Sequence, residues 1–317
     1  MFRIRTGSRI IAAIAASGMT LAAAEEVFWY TAMNTQDAEP LRKRFEEKHP
    51  GTKVTVLRQP GEKIRNRILT EARGGKNFWD VVSFNHLDME ALDSEKMLAA
   101  YVSPQTKTGY PAGAVHPAGK WAAIYVRQYV IGYNTTSVRP VEVPRDWSDL
   151  LQPQWKGKLA IDENEVEWYA SMLDYLGRDK GTAFMRALAK QEPQFRRGHT
   201  LLSKLLVAGD FPIAIVHAAE MDEARKAGAP VDWVRTLDPV ITSPSVIAVA
   251  AHAPHPKQAR LFVDFVLSEE GQRIIGNQGR VPARFETATE LKVFYVKPQL
   301  ARDMDVREKE FREIFRR

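Results

Sequence analysis

Along the chain, short runs of β-branched and aromatic residues alternate with segments whose apolar positions recur at helical spacing. The longest run is Trp121 to Asn134, Trp-Ala-Ala-Ile-Tyr-Val-Arg-Gln-Tyr-Val-Ile-Gly-Tyr-Asn. It predicts a strand longer than usual, closing on a turn-forming Gly-Tyr-Asn. A second run of this kind, Val231 to Ala251, follows after a block of domain size. Two long strands so separated predict a chain that leaves one lobe, builds another and returns, with a ligand cleft between them.

Glu25 to Tyr30 predicts the opening buried strand, followed by a polar turn at Thr31 to Asp37 and a helix through Leu41, Phe45 and Lys48. Val54 to Leu57 and Trp79 to Phe84 predict further strands. Ile64, Ile68 and Leu69 mark the helix between them, and Met89, Leu92 and Met97 the helix after them. Residues 101–120 suggest a loop. The second block repeats the alternation, with a strand at Lys156 to Ile161, helices at Val166 to Leu176, Thr182 to Ala189 and from Gly198, and a strand at Phe211 to Val216. Helices through Leu261 and Phe265, and after Ser268, follow the return. Such alternation implies an α/β fold of mixed, mostly parallel sheets flanked by helices. Ligands in these sheets sit beyond the carboxyl ends of the strands, where Thr31, Asn34, Ser83 and Asn85 fall.

Residues 1–24 have the form of a signal peptide. Arg3, Arg5 and Arg9 precede a short apolar core broken by Ser17-Gly18, and Ala22-Ala23-Ala24 offers a cleavage site. Without an adjacent arginine pair, the general secretion route is expected, with residues 1–24 removed and a soluble protein in the periplasm. The chain has no cysteine, which excludes a lipid-anchored N-terminal Cys, disulfides and thiolate metal sites. Three of the 45 basic residues and none of the 39 acidic ones lie in the leader, so the remainder carries a formal charge of +3. That is too mild to imply nucleic acid. Gly-x-Ser-x-Gly, His-Glu-x-x-His, Gly-x-Gly-x-x-Gly and Gly-Lys-Ser/Thr motifs are all absent, so no enzyme and no cofactor are expected.

Several phrases in order carry a family likeness: Val-Phe-Trp-Tyr at 27–30, Trp-Asp-Val-Val at 79–82, the strand ending Tyr133-Asn134, Trp155-Lys156-Gly157-Lys158, Ala208 to Ala214, Gly228 to Val234 and Ser268 to Gln272. In these the chain resembles the periplasmic solute-binding proteins of the ferric-ion-binding type, which serve ABC importers. The resemblance implies a two-lobed type II periplasmic binding fold joined by two crossing hinge strands. Lobe 1 would hold residues 25–125 and 238–285 and lobe 2 residues 126–237, with helices in 286–317 packing on lobe 2. It further implies a monomer that traps a small-molecule solute by lobe closure and docks on an inner-membrane permease powered by an ATPase. A ligand-sensing module for a receptor kinase would use the same fold.

Iron-binding members hold ferric ion with a tyrosine pair after the strand that corresponds to Phe211 to Val216, helped by a His in the first turn. Here Val216-His217-Ala218-Ala219-Glu220 stands at the first place and Asn34 near the second, so no metal is expected. Ferric binding would need a route without tyrosines. The candidate contacts in the second lobe are Glu165, or Glu167 beside it, with Trp168 in the acidic turn 162–169, then Arg197, His199 and Thr200 at a helix start, and His217. Arg127 and Tyr129 share one face of the hinge strand. An acidic turn and a basic helix start in one lobe suggest a small polar or zwitterionic solute.

Overall fold

The computed structural model describes residues 25–284 and 290–315. The leader expected at residues 1–24 lies outside them. Among the described residues the strands are β1 (Glu25–Thr31), β2 (Thr52–Arg58), β3 (Val81–Asn85), β4 (Ala122–Asn134), β5 (Leu159–Asp162) and β6 (Gln194–Arg196). They continue with β7 (Ile213–His217), β8 (Val231–Trp233), β9 (Val240–Val249), β10 (Val281–Pro282) and β11 (Val293–Tyr295). The α-helices are α1 (Thr35–Lys48), α2 (Gly61–Arg73), α3 (His86–Ser94), α4 (Val166–Leu176), α5 (Arg178–Ala189), α6 (His199–Ala208), α7 (Ala218–Lys226), α8 (Pro256–Leu267), α9 (Glu269–Asn277) and α10 (Leu300–Phe315). None is long and apolar enough to cross a membrane.

The strands form one hydrogen-bonded sheet in the order β2-β1-β3-β9-β4-β7-β5-β6, with β8 and β10 also pairing with β4, and β11 with β9. Its wings are parallel: β1 with β2 and β3, and β5 with β6 and β7. The centre, where β9 lies between β3 and β4 and β4 meets β7, is antiparallel. The sheet is continuous because β4 and β9 run from one hydrophobic core to another. Ala122 and Ile124 on β4, with Ile247 and Val249 on β9, pack with Trp29, Leu41, Phe45 and Phe262. Farther along the same strands, Tyr129 to Ile131 and Val240 and Ile241 pack with Ile161, Trp168, Leu206 and Ile215. Both strands are nearly all buried, as strands covered on two faces must be.

The long apolar stretch from Val231 divides into β8 and β9. Pro239, which has no N–H for a ladder, precedes the second part. Pro244 nevertheless lies within β9, opposite Val126. Its other flank is open there, because β11 pairs only as far as Thr242 and β3 only from Ser245. Met97 lies beyond α3, which stops at Ser94 before Lys96 at φ 59°. The two- and three-residue strands β6, β10 and β11 are too short to show an alternating pattern. Local signals fix other ends: Asn85 caps α3 by accepting from the Asp88 N–H at 2.8 Å, and Ser268 caps α9 by accepting from Gly271. Helix α10 buries Phe311 and Phe315 in the second core, where Phe311 meets Tyr169 at 5.6 Å between ring centres.

Candidate functional site

Where β4 and β9 pass between the cores, side chains from seven elements meet. Arg127 and Tyr129, two apart on β4, lie on one face. Arg127 is paired with Ser243 on β9, and Tyr129 with Ile241 on one side and His217, the last residue of β7, on the other. The strands β5 and β7 lead at their carboxyl ends into α4 and α7, while α6 starts beside them at His199. Glu165, His199 and His217 thus stand at three helix starts, and none of those starts is capped by its N-cap side chain.

Glu167, in the first turn of α4, reaches back to the hinge. It accepts from the Tyr129 hydroxyl at 2.6 Å and from the Ser243 hydroxyl at 2.8 Å, and Arg127 Nη2 lies 3.5 Å away. Burial alone would raise its pKa, but Arg127 and the two hydroxyl donors outweigh burial and hold it low. Burial and the neighbouring Glu167 keep Tyr129 a neutral phenol. His86, the first residue of α3, completes the group. It is fully buried, its Nδ1 is 3.9 Å from Glu167, and burial lowers its pKa to about 4.

The rings of His199 and His217 stack at 3.8 Å, with Tyr129 edge-on to both at 5.8 and 5.0 Å. Two stacked imidazoles do not both take a proton. Burial opposes the charge on His199, but Glu165, 3.3 Å from its Nε2, raises its pKa. Burial and the charge on His199 drop His217 to about 3, although Glu220 lies 3.9 Å from its Nδ1. Glu220 also accepts from the Ser203 hydroxyl. Six buried polar atoms here have no hydrogen-bond partner: Arg127 Nε, Glu165 Oε2, His199 Nδ1, His217 Nε2 and both ring nitrogens of His86. The Glu165–His199 contact is an ion-pair approach without hydrogen-bond geometry. Buried polar groups are normally satisfied, so such a cluster marks a place where a further polar molecule fits. Among the described residues, no group of three or more His, Asp or Glu side chains is placed to hold a metal ion.

The family model for bacterial extracellular solute-binding proteins matches residues 76–305. The chain belongs to this family. It is 24% identical over 246 residues to the Fe(3+)-binding periplasmic protein of Serratia marcescens, covering 72% of this chain and 70% of that one. Its fold matches that of iron-bound HitA from Pseudomonas aeruginosa, with a TM-score of 0.77, 20% identity and coverage of 92% of this chain and 99% of that one. It also matches the periplasmic binding protein AfuA of Actinobacillus pleuropneumoniae with fructose-6-phosphate bound, with a TM-score of 0.70, 20% identity and coverage of 91% and 97%. The solute-binding protein is therefore two-lobed and type II, and its relatives are binding proteins of transport rather than enzymes.

Of the residues singled out in the sequence, Arg127, Tyr129, Glu165, Glu167, His199 and His217 come together. The others do not join them. Thr31 and Ser83 are fully buried and share a hydrogen bond of 2.7 Å between their hydroxyls, with the Trp29 indole donating to Ser83. Asn85 is used as a helix cap, and Asn34 sits exposed within reach of Arg58 at 3.3 Å. Trp168 points into the second core against Trp147, because the helical turn that aims Glu167 at the hinge carries the next side chain away. The Arg197 side chain is 83% exposed, 3.6 Å from Glu163, and Thr200 is exposed beside it. The start of α6 is Gly198 at φ 91°, whose N–H donates to Asp162 at 2.6 Å. The sequence reading did not single out Ser243, Glu220 and His86. Only Glu220 carried a signal, its i,i+3 spacing from His217.

Proposed function

We propose that this protein is the periplasmic component of an ABC importer, closing two lobes on a small polar solute and delivering it to a membrane permease and its ATPase. The lobes are residues 25–125 with 238–285, and residues 126–237. The observation that carries this reading is the set of six buried, unpartnered polar atoms at the crossing of the two strands that join the cores. A solute held there touches the hinge and the second lobe at once, and His86 brings the first lobe to the same carboxylate. Contacts made only in the closed form are what shift such a protein from open to closed.

A ferric cargo is disfavoured by the donor set. His217 and Ala218 follow β7 where the resemblance puts two tyrosines, and the one phenol in the cluster is neutral and engaged with Glu167. Hard ferric ion prefers several anionic oxygen donors converging on one point, and the carboxylates here are not so grouped among the described residues. The test is a thermal-shift screen of solute-free protein against a metabolite and metal library, followed by small-angle X-ray scattering with any hit. Saturation at a hundredfold excess over Kd adds about 2.7 kcal/mol of stability. The expected outcome is an organic solute that raises the melting temperature and shrinks the radius of gyration. A response to ferric ion alone would overturn the choice of cargo, and no response to any compound would overturn the receptor reading.

A further inference from the structure

We infer that the solute is a zwitterion with a carboxylate and an N–H-bearing ammonium group, the carboxylate on Arg127 and His199 and the ammonium on Glu165 and His217. This rests on the receptor reading above and deepens it.

The assignment follows from what each unpartnered atom can do. Arg127 donates through Nη2 to Ser243 at 2.9 Å, and Nη2 also lies near Glu167, so Nε–H is the donor left without an acceptor. His199 directs Nε2 at Glu165, leaving Nδ1 free. As an imidazolium it donates from both nitrogens, so Nδ1–H is a second donor in search of an acceptor. His217 stays neutral under the stacked His199, with Nδ1 directed at Glu220, and its Nε2 is then a lone pair without a donor. Glu165 Oε2 is the second acceptor, and its side chain is almost wholly buried. These four atoms give two donors and two acceptors, each pair including a charged group, and the neutral His86 ring adds one of each, so the set calls for a ligand with both an anionic acceptor and a cationic donor.

Other charge types leave something unmatched. Four carboxylates, Asp162, Glu165, Glu167 and Glu220, face one guanidinium and one imidazolium. A phosphate dianion would add two negative charges to that surplus. A bare cation would leave the donors of Arg127 and His199 without acceptors. A zwitterion completes the atoms of Arg127, His199, His217 and Glu165 and leaves the net charge of the site unchanged. His199 is faced by Glu165 from α4, Asp162 from β5, Glu220 from α7, His217 from β7 and Tyr129 from β4. Loss of its proton at high pH removes one of the two carboxylate donors.

The test is isothermal titration calorimetry of the solute-free full chain. The probes are the common α-amino acids, β-alanine and γ-aminobutyrate, with the carboxylic acid and the amine matched to each. Glycine betaine, fructose-6-phosphate and ferric citrate complete the set. At least one amino acid is expected to bind, and each analogue lacking one charge should bind it at least about tenfold more weakly. Glycine betaine, which has the charges but no N–H, should bind no better than those analogues. Glu165→Gln should weaken the best amino acid about tenfold, with an unchanged far-ultraviolet spectrum showing that the variant is folded. His199→Gln should remove the decline in affinity between neutral and alkaline pH. The assignment is overturned if fructose-6-phosphate or ferric citrate binds most tightly, if an amino acid and its matched carboxylic acid bind alike, or if no amino acid binds. These outcomes leave the receptor reading intact, because that reading fails only when the wider library is silent.

Discussion

Glu167 organises the hinge side of the site, since one carboxylate satisfies two hydroxyls and balances a guanidinium. Glu167→Gln removes the charge that compensates Arg127. Breaking a buried pair from one side costs about 3 to 5 kcal/mol, and the lower end is expected because the Arg127 side chain is 35% exposed. Urea unfolding measures it, and a loss below 1 kcal/mol would show that the pair behaves as a surface ion pair. The histidines set the pH response. His86 and His217 are buried neutral, with pKa values of about 4 and about 3 against an ordinary value near 6.5. Their contribution is complete above about pH 6.5 and is lost as pH falls toward those folded values. The lowered pKa of Glu167 has the same sign at lower pH, lost as pH falls through its folded value. The raised pKa of His199 has the opposite sign: its contribution is present below about pH 6.5 and lost as pH rises through its folded value. Melting temperature should therefore fall between pH 6.5 and 5, and His217→Asn should flatten that slope. Parallel slopes for the two proteins would exclude His217 as a source.

At the scale of elements, α10 is the clearest case of a segment whose partner lies far away in sequence. Its charged face reads as a solvated helix, yet Phe311 is 1% exposed and meets both Tyr169 and Phe195. Phe311→Ala should cost about 3 to 5 kcal/mol, read as a lowered urea midpoint, whereas Lys309→Ala on the exposed face should lie within about 0.5 kcal/mol of the parent. If both substitutions are silent, α10 is not part of the second core. The resemblance implied that this segment packs on lobe 2, and the fold shows which side chains it meets. The fold was needed for α4 as well. Its helical spacing was plain in the sequence, but the choice between Glu165, Glu167 and Trp168 depended on the angle at which the helix leaves β5.

For the whole molecule, the continuity of the sheet matters most. Because β4 and β9 belong to both cores, a solute bound at their crossing stabilises the two cores together. Hydrogen exchange with and without solute should show added protection in β1–β3 and in β5–β7 alike. Protection confined to one side would mean that the solute sits within one lobe and does not couple to the hinge.

The sequence by itself determined the alternation of strands and helices, the two long strands and, through phrase order, the family. These are local periodicities and spacings, which survive without knowledge of the partner surfaces. It also placed Arg127, Tyr129, Glu165, Glu167, His199 and His217 among the candidates, because polar residues that interrupt a long apolar strand or stand at a strand end or helix start are visible in one dimension. Only the tertiary structure decided that these six meet, that Thr31 and Ser83 satisfy each other instead, and that Arg197 and Thr200 face solvent. The reason is register. Ser243 faces Arg127 and His217 flanks Tyr129 through pairings between strands remote in sequence, and no local pattern encodes which residue of one strand lies opposite which residue of another.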